Sequence, residues 1–373
     1  MWATIKAALV IWLAVRAFGD LRSSFFLSPL TQQRPCLGIR KDDMVKRASP
    51  WNLRVADRPG QRWFKIVTPG APSPVPQKEN ISLAVSMFLQ QLLNGLTTGS
   101  VYALIALGYT MIYGILGLIN FAQGEIYMCG AFVAVLLLAT GKVNFYLAFA
   151  AGMVAAALLG VALERVAFRP LRGAHPLVPL ISAIGASIFL QSLALLLFGP
   201  NDRPFPMQFT FSTITVAGLP LSTLQGAILA AALGLMGLLM VFVRYTRYGK
   251  AIVACALDRD TARLMGINVD RMVSLTFFIG SALSGAAGIM MAIYYNATYP
   301  RMGLLPGLKA FSAAILGGVG NIPGAILGGL LLGVAESLGA AYLSSGYKDA
   351  IAFAILILVL LVRPQGILKG RGD

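Results

Sequence analysis

Three glutamates stand where an apolar sequence should exclude them. Glu125 lies in LINFAQGEIYMCGAF, Glu164 closes an apolar run just ahead of Arg165 and Arg169, and Glu336 sits in GVAESLG. An ionisable group inside a bilayer is expensive enough to be a candidate for function by default. The three differ in context. Glu164 reads as a snorkelling interfacial pair with its arginines at a span end. Glu336 falls within an apolar run where Ser337 or another helix could satisfy it. Glu125, in a polar cluster with Asn120, Gln123 and Gly124, has two readings: a broken helix lining a substrate path, or a cap at the start of a span, where a carboxylate favours the positive helix end.

Other chemistry is poorly supplied. The single histidine, His175 in RGAHPLVPL, has no HExxH spacing and no serine or cysteine nucleophile motif beside it, so it reads as interfacial. No GxxxxGK[ST] loop exists, so any ATP energy must come from a partner. Cys36, Cys129 and Cys255 are too far apart for a CxxC redox or metal motif, and neither a disulfide framework nor zinc is supported. The sequence therefore assigns no catalytic residue, no metal and no cofactor.

The elements that must position these residues are membrane helices. Of 373 residues, 12% are charged and 57% hydrophobic, with a mean hydropathy of +0.77; a soluble domain carries roughly 25% charged residues. The net charge of +16 would suggest nucleic acid in a soluble chain. Its distribution excludes that partner. Residues 1–86 hold 13 basic and 5 acidic residues, leaving 17 and 9 in residues 87–373, where the bases sit in connectors between apolar runs. This is the positive-inside pattern of a chain in a lipid membrane.

Apolar runs fall at about 88–118, 122–140, 144–164, 177–198, 221–243, 273–294, 307–320, 323–343 and 349–362. The sequence thus predicts an all-α polytopic membrane protein of eight to nine transmembrane helices, a Gly-rich bundle with broken or short helices. Arg165, Arg169 and Arg172, the connector 244–271, and Arg363, Lys369 and Arg371 place three connectors in the cytoplasm and 199–220 outside. An even number of crossings from the sixth span onward then favours 307–320 as a crossing over a re-entrant piece. Small residues recur four apart at Gly324 and Gly328, Gly329 and Gly333, and Gly280 and Ser284, a spacing that lets helix backbones approach.

Residues 1–86 have a different character. The run 7–18 is too short to span and only faintly resembles a signal peptide. Residues 23–80 are basic and Pro-rich, a composition that cannot bury a core. The expected organisation is a basic, Pro-rich extension or mis-assigned start over 1–86, with Met87 the favoured start, and one membrane domain over 87–373.

The connector 244–273, RYTRYGKAIVACALDRDTARLMGINVDRMV, is too long for a tight turn. Asp258 can cap a short helix running through Ala262 to Met265, and Gly266 suits the left-handed residue that ends one. Ala262, Leu264 and Met265 offer apolar contact, and Arg259, Asp260 and Arg263 offer charge, to another protein or to the membrane surface.

Four collinear blocks carry a resemblance: NGLTTGSVYALIALGYTMIYGILGLINFAQGEIYMCGAF (94–132), YGKAIVACALDRDTARLMGIN (248–268), LKAFSAAILGGVGNIPGAILGGLLLGVAES (308–337) and RPQGIL (363–368). They resemble the permease subunits of bacterial ABC importers for branched-chain and related amino acids, the LivH type, over roughly 87–373. The resemblance implies a multi-pass subunit of the bacterial inner membrane, paired with a second, LivM-like permease. Two cytoplasmic ABC ATPases and a periplasmic amino-acid binding protein would complete the assembly. It also implies that Ala254, Asp258, Asp260, Arg263, Leu264, Met265 and Gly266 form the ATPase-coupling helix. The EAA pattern usual in importer permeases lacks its Glu here. Polar candidates for the substrate path are Asn94, Thr97, Asn120, Gln123 and Glu125. The rival reading, a secondary amino-acid, amide or urea transporter or channel without an ATPase, needs a paired carboxylate site or an internal repeat, and neither is evident.

Overall fold

The computed structural model describes residues 77–175, 177–206, 213–216, 219–363 and 365–368. The expectations for residues 1–76, Cys36 among them, lie outside the described residues. Among the described residues eleven α-helices follow in order: α1 (Gln77–Leu116), α2 (Gln123–Ala139), α3 (Phe145–Leu163), α4 (Leu177–Phe198), α5 (Thr223–Tyr245), α6 (Arg247–Leu257), α7 (Arg259–Leu264), α8 (Val269–Tyr295), α9 (Leu304–Gly317), α10 (Ile322–Tyr342) and α11 (Lys348–Val362). A π-helical turn, Glu164–Phe168, and a 3₁₀ turn extend α3. Seven of the helical segments are long and apolar enough to cross a membrane, and α2 and α9 are shorter apolar helices. These nine match the nine apolar runs. A hairpin, Thr213–Val216 against Leu219–Ser222, lies in the connector expected outside.

Small residues decide which helices touch. The four-residue repeats on α10 form two stripes that meet different partners. A Cβ on Gly328 would stand 2.7 Å from Gly317 N of α9, and one on Gly329 would stand 2.5 Å from Ala103 Cα of α1. Gly333 likewise lies against Gly99 of α1, and Gly324 against Gly317. On α8, Gly280 meets Gly108 of α1, while Gly285 meets Gly130 of α2. Because lipid tails are as apolar as the helices, close backbone approach is what favours association. α1 and α8 are accordingly central and largely covered by protein, whereas α4, α5 and α11 leave most of their apolar side chains uncovered.

One end of the bundle gathers the basic connectors. Arg172, after α3, reaches Asp270 at the start of α8, Gly114 near the end of α1 faces Ala256 of α6, and Ile367 and Leu368 donate backbone bonds to Leu316 and Gly317 at the end of α9. The positive-inside bias assigns this end to the cytoplasm. α9 therefore finishes at the basic end, and α10 and α11 carry the chain out and back, as the crossing count requires.

Candidate functional site

The first candidate site is a junction of two half-helices. α2 has 17 residues and α9 has 14; at 1.5 Å per residue neither covers the ~30 Å hydrocarbon core along its axis. α1 ends at Leu116, Gly117 takes a positive φ of 64°, and the chain turns back into the bundle before α2 begins. Gln123 fixes the depth of that start. Its Nε2 donates to Gly280 O at 3.0 Å and to Ser284 Oγ at 2.7 Å, both near the middle of α8. From the opposite end, α8 closes on Asn296, left-handed at φ 49°, and the segment to Gly303 leads into α9. The two starts meet: the backbones of Gly124 and Gly303 are in contact, and a Cβ on Gly307 would stand 3.0 Å from Gly124 Cα. Only glycine allows such an approach.

Glu125 occupies this junction. It is fully buried, with Oε1 accepting from Gln191 Nε2 at 2.7 Å and from Ser187 Oγ at 3.3 Å, both on α4, while Oε2 has no partner. The residue at the start of α2, Ala122, makes no side-chain cap, so the Glu125 carboxyl is turned to α4 and not back onto its own helix. Asn120 is buried as well, donating to Gln123 Oε1 at 3.1 Å and accepting from Ala122 N. Asn120, Gln123 and Glu125 thus come together.

Asn94 and Thr97 do not join them. Asn94 belongs to a separate polar cluster near the far end, where Gln225 of α5 donates to its Oδ1 at 2.7 Å and Ser337 of α10 donates to Gln91 O at 2.8 Å. Thr97 turns onto its own helix, donating to Leu93 O, a bond that satisfies the hydroxyl without another element.

The second candidate site is the short helix α7 at the basic end. Asp258 is its N-cap, accepting from Asp260 N at 2.9 Å, Thr261 N at 3.3 Å and the Thr261 hydroxyl. Those three bonds, the hydroxyl first, hold the Asp258 carboxyl below its ordinary range. Gly266, at φ 82°, ends the turn as its sequence position suggests. Ala262 is buried against the bundle, whereas Leu264 and Met265 are 88% and 77% exposed, beside the exposed Asp260–Arg263 pair. Ala254, on α6, is half-buried. α7 connects directly to the central helix α8, whose start is capped by Asn268.

Of the other two glutamates, Glu164 corrects the sequence reading and Glu336 narrows it. Glu164 is fully buried and pairs neither with Arg165 nor with Arg169; it is held by Arg172 and by Ser274 Oγ at 2.7 Å. The extra residue of the π turn and the following 3₁₀ turn carry the chain round so that Arg172, not the nearer arginines, faces it. Glu336 follows the second of its two readings, since other helices and not Ser337 meet it: Lys309 Nζ lies at 2.8 Å, Lys348 Nζ at 3.3 Å and Tyr102 Oη at 3.4 Å from Oε1, while Oε2 has no hydrogen-bond partner. Lys309 also reaches Asp349 at 2.5 Å. Sequence reasoning passed over Lys309, although a lysine within an apolar run was the available signal. His175 is exposed, with Leu177 N donating to its Nδ1 at 3.5 Å. Among the described residues no group of His, Cys, Asp and Glu has the arrangement of a metal site.

Buried helices, a junction of half-helices inside the bundle and a capped helix presented at the basic end define a membrane transport subunit. Residues 91–360 match the family described as branched-chain amino acid transport system / permease component. Curated relatives agree. The high-affinity branched-chain amino acid transport system permease protein LivH of Salmonella typhimurium is 48% identical over 298 residues, covering 77% of this chain and 96% of the relative. LivH of Escherichia coli K12 is 47% identical with the same coverage. BraD of Pseudomonas aeruginosa is 48% identical, covering 77% and 97%. The chain belongs to this permease family: it is a multi-pass transport subunit of an ABC importer and not an enzyme, with ATP hydrolysis left to separate chains.

Proposed function

We propose that the cargo is a branched-chain aliphatic amino acid, carried across the bacterial inner membrane by an assembly of this chain, a second LivM-like permease, two cytoplasmic ATPases and a periplasmic binding protein. The observation that carries the cargo assignment is the near-full-length likeness to LivH and BraD. The coupling assignment rests on α7, a capped helix that leaves Leu264 and Met265 uncovered at the basic end. An ATPase groove that takes up these two side chains would move α7 when the ATPases close.

The covalent route from there to the junction is short. α7 leads through Gly266 and the Asn268 cap into α8, and α8 holds the start of α2 through the Gln123 bonds to Gly280 and Ser284. A displacement of α8 would strain those bonds and separate the Gly124–Gly303 contact, opening a path at Glu125. Switching of this kind exchanges two packed arrangements of rigid helices. A cargo ammonium would then find the free Glu125 Oε2, and an aliphatic side chain would find the apolar walls around it.

The test is Leu264→Asp in the assembled importer. Co-purification of the ATPases and ATP-driven leucine uptake in vesicles should both be lost, with the amount of this chain in the membrane unchanged. Normal assembly and normal uptake would overturn the coupling assignment. Uptake of leucine that persists without any ATPase would overturn the importer reading itself.

A further inference from the structure

At the basic end a cavity of about 510 Å³ opens between the end of α5, the flank of α6 and the turn from α9 into α10. Its walls are Met240, Val243 and Val253 on one side and Ile322 and Pro323 on the other, with Arg244 and Lys250 at its edge. Both cations are exposed, and neither makes an ion pair among the described residues. That sets them apart from Lys309 and Arg172, which are spent on carboxylates. Gly320 and Asn321 add the positive end of the 21-residue α10, whose first turn is ordered by Gly324 N donating to Asn321 Oδ1 at 3.2 Å.

The surroundings fix the depth. Arg244 lies in the last turn of a membrane span, and the sequence continues RYTRYGK, with Tyr245 and Tyr248 70% and 62% exposed. Aromatic rings and basic groups alternating at a span end mark the level of the lipid head groups. A cavity there, cationic at its edge and apolar at its walls, matches an amphipathic anion whose charged group and hydrocarbon part lie side by side. We propose that this cavity binds the phosphate head group and upper acyl chain of an anionic phospholipid, with Arg244 and Lys250 holding the phosphate and Met240, Val243, Val253 and Ile322 lying along the chain. Basic pockets between helices at the cytoplasmic level are suited to such lipids. A bound lipid would bridge α5 and α6 to α10, the elements on either side of the moving α7–α8 unit. The proposal is independent of which cargo the importer carries.

The experiment uses the assembled importer in nanodiscs of phosphatidylcholine with added phosphatidylglycerol, released for native mass spectrometry. The wild-type complex should retain phosphatidylglycerol in preference to phosphatidylcholine. Arg244→Gln with Lys250→Gln should weaken that retention by about thirtyfold, given the contribution of each basic residue near the surface. Val253→Phe, which fills the cavity and keeps both cations, should weaken it too, whereas Arg247→Gln, beside the cavity, should not. Equal losses for Arg247→Gln and the double variant would reduce the effect to general surface charge and overturn the site. Full displacement by millimolar glycerol phosphate would identify a soluble phosphate as occupant and overturn the lipid assignment. A photoactivatable phosphatidylglycerol on the unaltered complex should label residues 240–253 and 320–323; labelling confined to other segments, or a cavity closed off by an ATPase carboxylate, would overturn the proposal without any variant.

Discussion

Glu336 and Glu125 are both fully buried in an apolar bundle, and the protein treats them in opposite ways. Around Glu336 charge is balanced locally: Lys309 and Lys348 face Glu336 and Asp349, and Tyr102 adds a neutral donor. These groups come from α1, α9, α10 and α11, so the cluster ties four helices together near the far end. Around Glu125 the hydrogen-bond donors are neutral, Ser187 and Gln191, and among the described residues no cation pairs with it; each of the two glutamates leaves its Oε2 without a hydrogen-bond partner. A carboxyl whose charge is paired works as a tie. One whose charge is unpaired, beside two helix starts that meet through bare glycine backbone, has the character of a place where something else binds.

The sharpest break of this comparison is at Lys309. Lys309→Met removes the closer cation from Glu336 and should lower stability by about 3 to 5 kcal/mol, the usual effect of stranding one member of a buried pair. Lys348 remains within reach of Glu336, which favours the lower end of that range. Lys309→Met with Glu336→Gln should melt higher than Lys309→Met alone, since the stranded charge is gone. Thermal melts of the detergent-solubilised chain measure both. A double variant no more stable than the single would show that the cluster does not act as a compensated unit.

Helix contact comes next in size. Gly329→Ala places a methyl 2.5 Å from Ala103 Cα, and α1 and α10 must separate to admit it. The expected loss is about 1 to 3 kcal/mol, as for other overpacked cores. Gly226→Ala on α5, where nothing lies within 4 Å of the added carbon, should leave the melt unchanged. If the two variants behave alike, the glycine stripes do not decide which helices pair.

Glu125→Gln should behave unlike either. The amide keeps a hydrogen-bonding group opposite Ser187 and Gln191, so the melt should move by about 1 kcal/mol or less. Leucine uptake should fall by roughly tenfold, the equivalent of one lost hydrogen bond to a charged group. A large loss of stability with uptake per folded molecule intact would make Glu125 a tie of the Glu336 kind and remove the contrast.

What the sequence made legible follows the range of the signal. The nine apolar runs coincide with nine helices because hydropathy is a local property, as in 221–243 against Thr223–Tyr245. Asp258 and Gly266 were also readable, since a cap and its stop lie within one short turn. The partners of the glutamates were not. Lys309 and Glu336 are 27 positions apart, and Glu125 and Gln191 are 66 apart; only the packing of α9 on α10 and of α2 on α4 brings them together. The glycine spacing announced close approach without naming the partner, and one helix proved to carry stripes for two. The broken start of α2 was visible as polar residues in an apolar stretch, but its meeting with Gly303 was not, because a contact between bare backbones leaves no side-chain pattern.

The smallest effect is expected at Asp258, outside the membrane, where the same contrast between a carboxylate that ties and one that binds can be set by pH. Its carboxyl is held below the ordinary value of 3.8 by the Thr261 hydroxyl and by the amides of Thr261 and Asp260. A depressed value means that the ionised cap favours the folded helix above that ordinary value, and that its contribution disappears as the pH falls through the lower, folded value. Between about pH 5 and 8 the cap is therefore constant, and any change in ATPase docking across that range comes from other groups. Asp258→Asn should preserve docking, because asparagine caps about as well as aspartate and does not titrate. Asp258→Ala should weaken it at every pH in the range, since the amides of Asp260 and Thr261 lose their acceptor and α7 frays from its start. Co-purification of the ATPases with each variant measures this. If Asp258→Asn fails as Asp258→Ala does, the charge itself meets the partner, and the carboxylate would then belong with Glu125 as a binding group rather than with Glu336 as a tie.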